Sequence, residues 1–361
     1  MGRTSPAGAN TVRASAVRAF IGSFTSAGGR GVIAAAVDPD TGALTETGVS
    51  DAVADPSYLA AGAAFGGTVL YAVSETEDGA VAAFDVTGPV PRPIGRRMPV
   101  RGAGPTHLAL AADRLVTANY GSGSVSVLPI GADGAPEPVG AVLRHHGSGP
   151  DPDRQAGPHA HQAVADPTGR WVLAVDLGTD RVYVHALDAL TSTLTPHAET
   201  ALRPGVGPRH LVFHPAGTHV YVVGELNPVV TVCRWDAAGG LLKAVGEHPL
   251  VPDGLTGPAY PSEAVASPDG RRLWAAVRGP DVISVLSLDA GPERPELTAV
   301  VGCGGRWPRD LALDPAGRRL YAANERSGDV TWFDVDIDAD GGIPRRAGSF
   351  AAPAASCVTF V

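Results

Sequence analysis

One pattern recurs along the chain about every 50 residues. Each unit opens with a proline, continues through two short apolar runs separated by a turn, and adds a third apolar run some six or seven residues later. The opening prolines are Pro56, Pro105, Pro158, Pro208, Pro261 and Pro308. Three to four short strands per unit, repeated at this period, predict a β-propeller with one unit per blade, and a two-sheet sandwich would not need such a period.

The two ends of the chain complement each other. Residues 356–361 have the sequence of a first strand with nothing after it, and residues 19–38 have the sequence of the second and third strands that should follow. Joining them would close a ring and remove its exposed sheet edges. We therefore predict an all-β, seven-bladed β-propeller whose last blade is closed by N- and C-terminal strands, with residues 1–18 a disordered leader and 19–361 a single domain.

Charge, cysteine content and apolar runs argue against several classes of protein. The formal net charge is −9, which argues against a general nucleic-acid-binding role. The 3 cysteines are widely spaced and form no CxxC pair, as is typical of a reducing compartment. No apolar run approaches the roughly 20 residues that span a bilayer, and the leader lacks the apolar centre of a signal peptide. A soluble, cytoplasmic protein without a membrane partner is expected.

Polar residues recur at two positions of each unit. In a propeller the first strand of each blade lines the central channel, so residues at its start lie near one mouth of the channel. Aligned on Arg209, this position holds Ser57, Thr106, His161, Arg209, Ser262 and Arg309. The end of the second strand, aligned to within one residue, supplies Glu75, Asn119, Asp176, Glu225, Arg278 and Asn324-Glu325. Polar residues that differ from unit to unit and lie at one rim of an apolar scaffold are typical of a binding site.

Four of these residues form a chemically coherent set. Any one of them is as well explained by simple solvation, but His161, Arg209, Glu225 and Arg278 together favour catalysis. Arginine pairs suit carboxylate or phosphate groups, because the planar guanidinium donates two parallel hydrogen bonds. A histidine of near-neutral pKa suits proton transfer. A small anionic substrate is therefore expected.

The longest loop, residues 144–161, is polar and rich in proline and glycine and should fold over the mouth. Arg154 and Gln155 would then reach the ligand. His159 and His161 are spaced to share a face and to bind a metal, but no clear third ligand follows, so we predict neither a metal nor another cofactor. The predicted substrate-binding residues are Arg154, Gln155, His159, Asn119, Asp176, Arg309 and Glu325.

Several longer motifs carry a family resemblance: DPSYLA from Asp55, GSGPDPDRQAGPHAHQ from Gly147, VDLGTDRVYV from Val175, GPRHLVFHPAGTHVYVVGEL from Gly207 and PRDLALDPAGRRLYAANERSGDV from Pro308. The sequence resembles the 6-phosphogluconolactonase-like lactonases, seven-bladed propellers that include the fungal carboxy-cis,cis-muconate cyclase. The resemblance implies lactone chemistry without an obligatory metal. The His, Glu and two Arg of the cyclase branch would fall on His161, Glu225, Arg209 and Arg278.

The resulting functional prediction is a lactone hydrolase of carbohydrate metabolism that acts on a sugar (phospho)lactone. Arg209 and Arg278 would hold an anionic group, His161 would act as general base on water, and Glu225 or an arginine would assist the ring oxygen or the oxyanion. Two alternatives stay open: a cycloisomerase or other pathway enzyme using the same mouth, and a non-catalytic interaction platform. A monomer or weak homodimer is expected, although the sequence fixes neither the oligomeric state nor the direction of the reaction.

Overall fold

The computed structural model describes residues 17–62 and 69–361, and these residues form seven four-stranded antiparallel sheets arranged as a propeller. The predicted fold class is confirmed. The predicted leader lies outside the described residues except for its last two, of which Arg18 already begins the first strand. Regular helix is confined, in the described residues, to a single 3-10 turn at Thr25–Ala27 and the four-residue helix α1 at Ile337–Asp340. Neither has the length that crossing a membrane by a helix would require.

Consecutive strands form each blade. The first three strands belong to blade 1: β1 Arg18–Ser23, β2 Val32–Val37 and β3 Leu44–Ser50. Blade 2 contains β4 Leu59–Gly62, β5 Val69–Ser74, β6 Ala80–Asp85 and β7 Arg92–Pro99. Blade 3 contains β8 Pro105–Ala111, β9 Arg114–Asn119, β10 Ser124–Pro129 and β11 Ala141–Arg144. Blade 4 contains β12 Ala160–Ala165, β13 Trp171–Asp176, β14 Arg181–Asp188 and β15 Thr193–Ala201.

The remaining blades repeat this order. Blade 5 contains β16 Pro208–Phe213, β17 His219–Gly224, β18 Val229–Asp236 and β19 Leu241–Pro249. Blade 6 contains β20 Tyr260–Ala266, β21 Arg272–Arg278, β22 Val282–Ser287 and β23 Glu296–Gly302. Blade 7 contains β24 Pro308–Leu313, β25 Arg319–Asn324, β26 Asp329–Asp334 and β27 Arg345–Ala351. The last strand, β28 Ala355–Phe360, completes blade 1.

The ring closes as the sequence predicts. Strand β28 pairs antiparallel with β1, with Phe20 opposite Thr359 and Ile21 opposite Val358. The first and last strands are thereby built into one sheet, so β1 is not left as the exposed edge of a three-stranded sheet.

Seven apolar cores lie between the seven pairs of neighbouring blades. One of them joins Trp171 of blade 4 to Leu211 and Trp235 of blade 5. Another joins Ile21 of blade 1 to Tyr321 of blade 7. Because each blade is packed on both faces, second strands such as β5 and β13 are buried at every residue. This two-sided burial explains why their sequences are apolar without alternation.

Six of the seven innermost strands carry a β-bulge near their starts, and β4 of blade 2 does not. In β12, Ala160 lies opposite Asp176 and Gln162 opposite Val175, so His161 is an extra residue. The equivalent extra residues are Thr106, Arg209, Arg309 and Ser356, and in β20 the register likewise shifts between Pro261 and Ala264. A bulge redirects the side chain at the extra position, and here it aims a second residue of these six strands at the channel.

Candidate active site

Glu225 is the centre of the charged cluster at the channel mouth. It directly follows β17 and is only 5% exposed. Its Oε1 accepts a hydrogen bond of 2.6 Å from Nη2 of Arg154, and its Oε2 accepts one of 2.8 Å from Nη2 of Arg278. Nε of Arg209 lies 3.2 Å from the same Oε2. Three guanidinium groups therefore meet one carboxylate, which leaves two positive charges for an anion to neutralise.

The protonation states of this cluster follow from its composition. Burial alone would raise the pKa of the Glu225 carboxyl, but Arg278, Arg209 and Arg154 outweigh it and lower that pKa to about 2. Burial lowers the pKa of Arg209 to about 9, and the neighbouring Arg278 and Arg309 act in the same direction. At neutral pH Glu225 is ionised and Arg209 is still a cation. Glu225 therefore holds the arginines and has no proton to donate.

His161 lies at the bulge of β12 and is 5% exposed. Its Nδ1 is enclosed and has no hydrogen-bond partner among the described residues. The imidazole ring is held between two others, with centroids 5.6 Å from Tyr120 and 5.1 Å from His210. Burial lowers its pKa well below 6.5, and the charge of Arg209 adds to that shift. His161 is therefore neutral at pH 7, the state that a general base requires.

A second charged group occupies the blade 7 and blade 2 side of the mouth. Nη1 of Arg309 lies 3.4 Å from Oε2 of Glu325, and its Nη2 lies 3.8 Å from Oε1 of Glu75. The guanidinium also lies over the ring of Phe24, 4.8 Å from its centroid. Arg309 and Arg209 both line a cavity of about 10 Å³ in the channel, so the two groups border the same space.

The structure does not bring every predicted binding residue to the mouth. Asn119 is fully buried inside blade 3 and donates to the hydroxyl groups of Ser124 and Ser126. Asp176 is fully buried and accepts from the backbone N–H groups of His159 and Thr179, while its Oδ2 lies 2.7 Å from Nδ1 of His145.

The offset has a simple cause. Glu225 follows the last residue of its strand, Gly224, which pairs with Pro208. Asn119 and Asp176 occupy the position of Gly224, one residue earlier, because they pair with Pro105 and Ala160. The true counterparts of Glu225 in blades 3 and 4 are Tyr120 and Leu177. A shift of one residue along a strand turns the side chain to the other face.

The long loop reaches the mouth through Arg154, as predicted, but Gln155 has a different role. Gln155 is fully buried and donates to the carbonyl of Leu177 at 2.8 Å, so it fixes the loop instead of facing a ligand. His159 lies beside the mouth, where its ring stacks on Tyr120 at 4.3 Å and its Nδ1 lies 2.9 Å from the Tyr120 carbonyl oxygen.

Sequence reasoning missed Tyr120 and a whole second row of the channel. The second row is formed by the residues that directly follow the first-row positions: Tyr58, His107, Gln162, His210, Glu263, Asp310 and Cys357. Six of them are buried, and Tyr58 is partly buried. The signal was present in the aligned repeat, where polar residues occur at two adjacent positions in most units.

Comparison with known proteins agrees with this geometry. The family model described as "Lactonase, 7-bladed beta-propeller" matches residues 18–360. The chain belongs to this family. A 6-phosphogluconolactonase of Bacillus subtilis is 30% identical over 95% of this chain and 97% of its own length. A 6-phosphogluconolactonase of Pectobacterium carotovorum is 32% identical over 64% of the chain and 67% of its own length.

Solved structures of similar proteins have the same fold. The periplasmic gluconolactonase of Pseudomonas aeruginosa is 27% identical, has a TM-score of 0.89 and covers 96% of this chain and 99% of its own. A protein from Lactobacillus plantarum, also 27% identical, has a TM-score of 0.88 and covers 96% of this chain. The family and its named relatives confirm the prediction of a lactone hydrolase of the 6-phosphogluconolactonase-like type.

Proposed function

We propose that this lactonase hydrolyses an anionic sugar lactone, 6-phosphogluconolactone or a close relative, at the mouth formed by His161, Arg209 and Arg278. One observation carries the proposal: three guanidinium groups surround the single carboxylate of Glu225, next to a buried and neutral imidazole. Fixed arginines in a partly dehydrated site bind phosphate or carboxylate and cost no reorganisation when negative charge develops.

The first step forms the tetrahedral intermediate. His161 takes a proton from a water molecule as the water oxygen attacks the lactone carbonyl carbon. The carbonyl π electrons move to the carbonyl oxygen, which becomes an oxyanion. Because Glu225 is ionised and both its oxygens are engaged by arginines, Arg209 and Arg278 are the groups suited to stabilise this oxyanion or the anionic substituent.

The second step opens the ring. The oxyanion re-forms its double bond as the bond between the carbonyl carbon and the ring oxygen breaks, and the proton held by His161 passes to the leaving ring oxygen. The products are a hydroxyl group and a carboxylic acid, which ionises at neutral pH. His161 returns to its neutral state, so the cycle consumes one water molecule and needs no other reactant.

We also propose that the reaction is independent of a metal ion. The electrophilic role that a bound metal plays in other hydrolases is assigned here to Arg209 and Arg278. Dialysis against a chelator should leave the rate of acid release from 6-phosphogluconolactone unchanged. Loss of activity on chelation, with recovery on addition of a divalent cation, would refute this part of the proposal.

The main experiment measures acid release from 6-phosphogluconolactone and from unphosphorylated glucono-lactone by the wild-type protein and by His161→Ala and Arg209→Ala. We expect kcat of His161→Ala to fall by about 100-fold or more, the usual contribution of a general base. The matched control is His248→Ala on the outer strand β19, which should keep wild-type activity. Full activity in both mouth variants would refute the assignment.

A further inference from the structure

The second row of the channel contains a buried acid and imidazole pair that the reaction steps above do not use. Nδ1 of His210 pairs with Oε2 of Glu263, which belongs to the neighbouring blade. The other oxygen of Glu263, Oε1, accepts the backbone N–H of Ala264 at 2.9 Å. His210 and Glu263 are 3% and 6% exposed. Because burying polar groups away from water costs free energy, the pair needs an explanation.

Ring nitrogens at and next to this pair lack partners. Nδ1 of His107 is one of them, in a ring 5.6 Å from that of His210. Nε2 of His210 and Nδ1 of His161 are also enclosed, and neither has a hydrogen-bond partner among the described residues. The two rings are neighbours, with centroids 5.1 Å apart and planes inclined by 65°. A buried imidazole nitrogen without a partner is costly, and the two orphan atoms belong to adjacent rings of complementary hydrogen-bonding capacity.

We propose that Glu263, acting through His210, is a positioning residue that fixes the tautomer of His161. Above the pKa of about 7 to which burial raises Glu263, its carboxylate accepts the Nδ1 proton of His210 and leaves the Nε2 of His210 as an acceptor. That acceptor favours a proton on Nδ1 of His161, either directly after a small rotation or through one water molecule. The Nε2 lone pair of His161 is then the free base that faces the substrate.

The tautomer of His161 decides whether its Nε2 can act as a base. An imidazole whose Nε2 already holds the proton cannot take another from the attacking water at that atom. In the Ser-His-Asp hydrolases, replacing the orienting carboxylate by an amide lowers kcat by about 10⁴ because the histidine adopts the wrong tautomer. Glu263 would orient His161 indirectly, because His210 lies between the carboxylate and the base.

The inference rests on the proposed function for its effect on rate, but the tautomers can be measured without any turnover. Nitrogen-15 NMR of the histidine side chains in the wild-type protein at pH 8, where Glu263 is ionised, is expected to show His161 and His210 both protonated on Nδ1. Assignment uses His161→Gln and His210→Gln. Wild-type rings protonated on Nε2 would overturn the proposal whatever the activity, and this measurement needs no variant of Glu263 to fold.

The matching variant is Glu263→Gln, which keeps the size of the side chain but offers an N–H donor as well as an acceptor. We expect His161 to shift towards the Nε2-protonated form and kcat to fall by about 100-fold or more, with KM changed by less than about threefold. The control is Glu46→Gln, in an exposed ion pair with Arg30 on blade 1, which should leave both the spectrum and kcat unchanged.

The outcomes separate the two claims. A tautomer shift in Glu263→Gln, in a protein that hydrolyses no lactone, would support the positioning role and refute the proposed function. Loss of kcat without a tautomer shift would show that Glu263 is merely structural. A shift confined to His107, the other imidazole near His210 at 5.6 Å, would show that His210 serves His107 instead of His161 and would overturn the proposal.

Discussion

Arg278 of blade 6 donates a hydrogen bond of 2.8 Å to Glu225 of blade 5, and both side chains are almost completely buried. The pair links two neighbouring blades at the mouth of the channel. It also makes the substrate site and the blade packing interdependent, because the same carboxylate organises Arg209 and Arg154. We therefore expect that removing the Glu225 carboxylate lowers the free energy of unfolding.

Glu225→Gln should destabilise the protein by about 3–5 kcal/mol, the range found when one partner of a buried ion pair is removed. The variant leaves three guanidinium groups close together with no neutralising charge. The measurement is urea unfolding at pH 7. The control is Glu293→Gln, which removes a carboxylate from an exposed pair with Arg234 and should have a smaller effect. Equal losses in the two variants would contradict the central role of Glu225.

The repeat in the sequence was enough to predict the fold, because the period and the prolines survive in every unit even where the side chains differ. The closure of blade 1 was equally predictable, since the terminal segments each lack what the other supplies. Backbone register was harder. Asn119 and Asp176 were aligned with Glu225 although they lie one residue earlier, and only the pairing with Pro105 and Ala160 reveals the error.

The second row could not be predicted from strand alternation alone. In a regular strand, Arg209 and His210 would face opposite sides of the sheet, so only one of them would line the channel. The bulge between Pro208 and His210 removes that alternation, and both residues line the same small cavity. Bulges have no sequence signature as strong as a Pro-x-Gly turn. That Arg154 approaches the mouth was, by contrast, predicted from the length and polarity of its loop, whereas its contact with Glu225 was not predicted.

The part of the acid limb that comes from protonation of His161 should lie below the ordinary histidine range. Burial and Arg209 lower the pKa of His161, so protonation of this ring should reduce kcat/KM only below pH 6.5. Arg309 also lowers this pKa. Arg309→Met should therefore raise it and move the limb to higher pH, whereas Arg170→Met on blade 4 should not. An unmoved limb in Arg309→Met would contradict this electrostatic account.

Arg278→Lys should weaken binding of the anionic substrate more than it slows the chemical step. A lysine keeps the charge but loses the planar fork that contacts Glu225 and the carbonyl of Tyr260, and it loses the position over Trp307. We expect KM for 6-phosphogluconolactone to rise by about 10-fold or more. Arg234→Lys on the outer part of blade 5 is the control. An unchanged KM in Arg278→Lys would remove this arginine from the substrate site.

Stability should fall as the pH rises from about 7.5 to 8.5. Burial, reinforced by the neighbouring Glu263, raises the pKa of Asp310 to about 8, and burial raises the pKa of Glu263 to about 7. The unfolded chain has released both protons by about pH 5, so the folded state holds protons that the unfolded state lacks. Their stabilising contribution is therefore present at low pH and is lost as the pH rises through the folded pKa values.

The range above about pH 7.5 separates these carboxyl groups from the buried imidazoles. Burial lowers the pKa values of His107, His161 and His210, and the unfolded imidazoles, with a pKa near 6.5, are also almost fully neutral in this range. Asp310→Asn keeps an oxygen that can accept the N–H of Val358, which Asp310 Oδ2 accepts at 2.8 Å, but it cannot ionise. Its free energy of unfolding should therefore fall less between the two pH values than that of the wild type. Parallel pH dependences for the two proteins would show that Asp310 does not hold its proton in the folded channel.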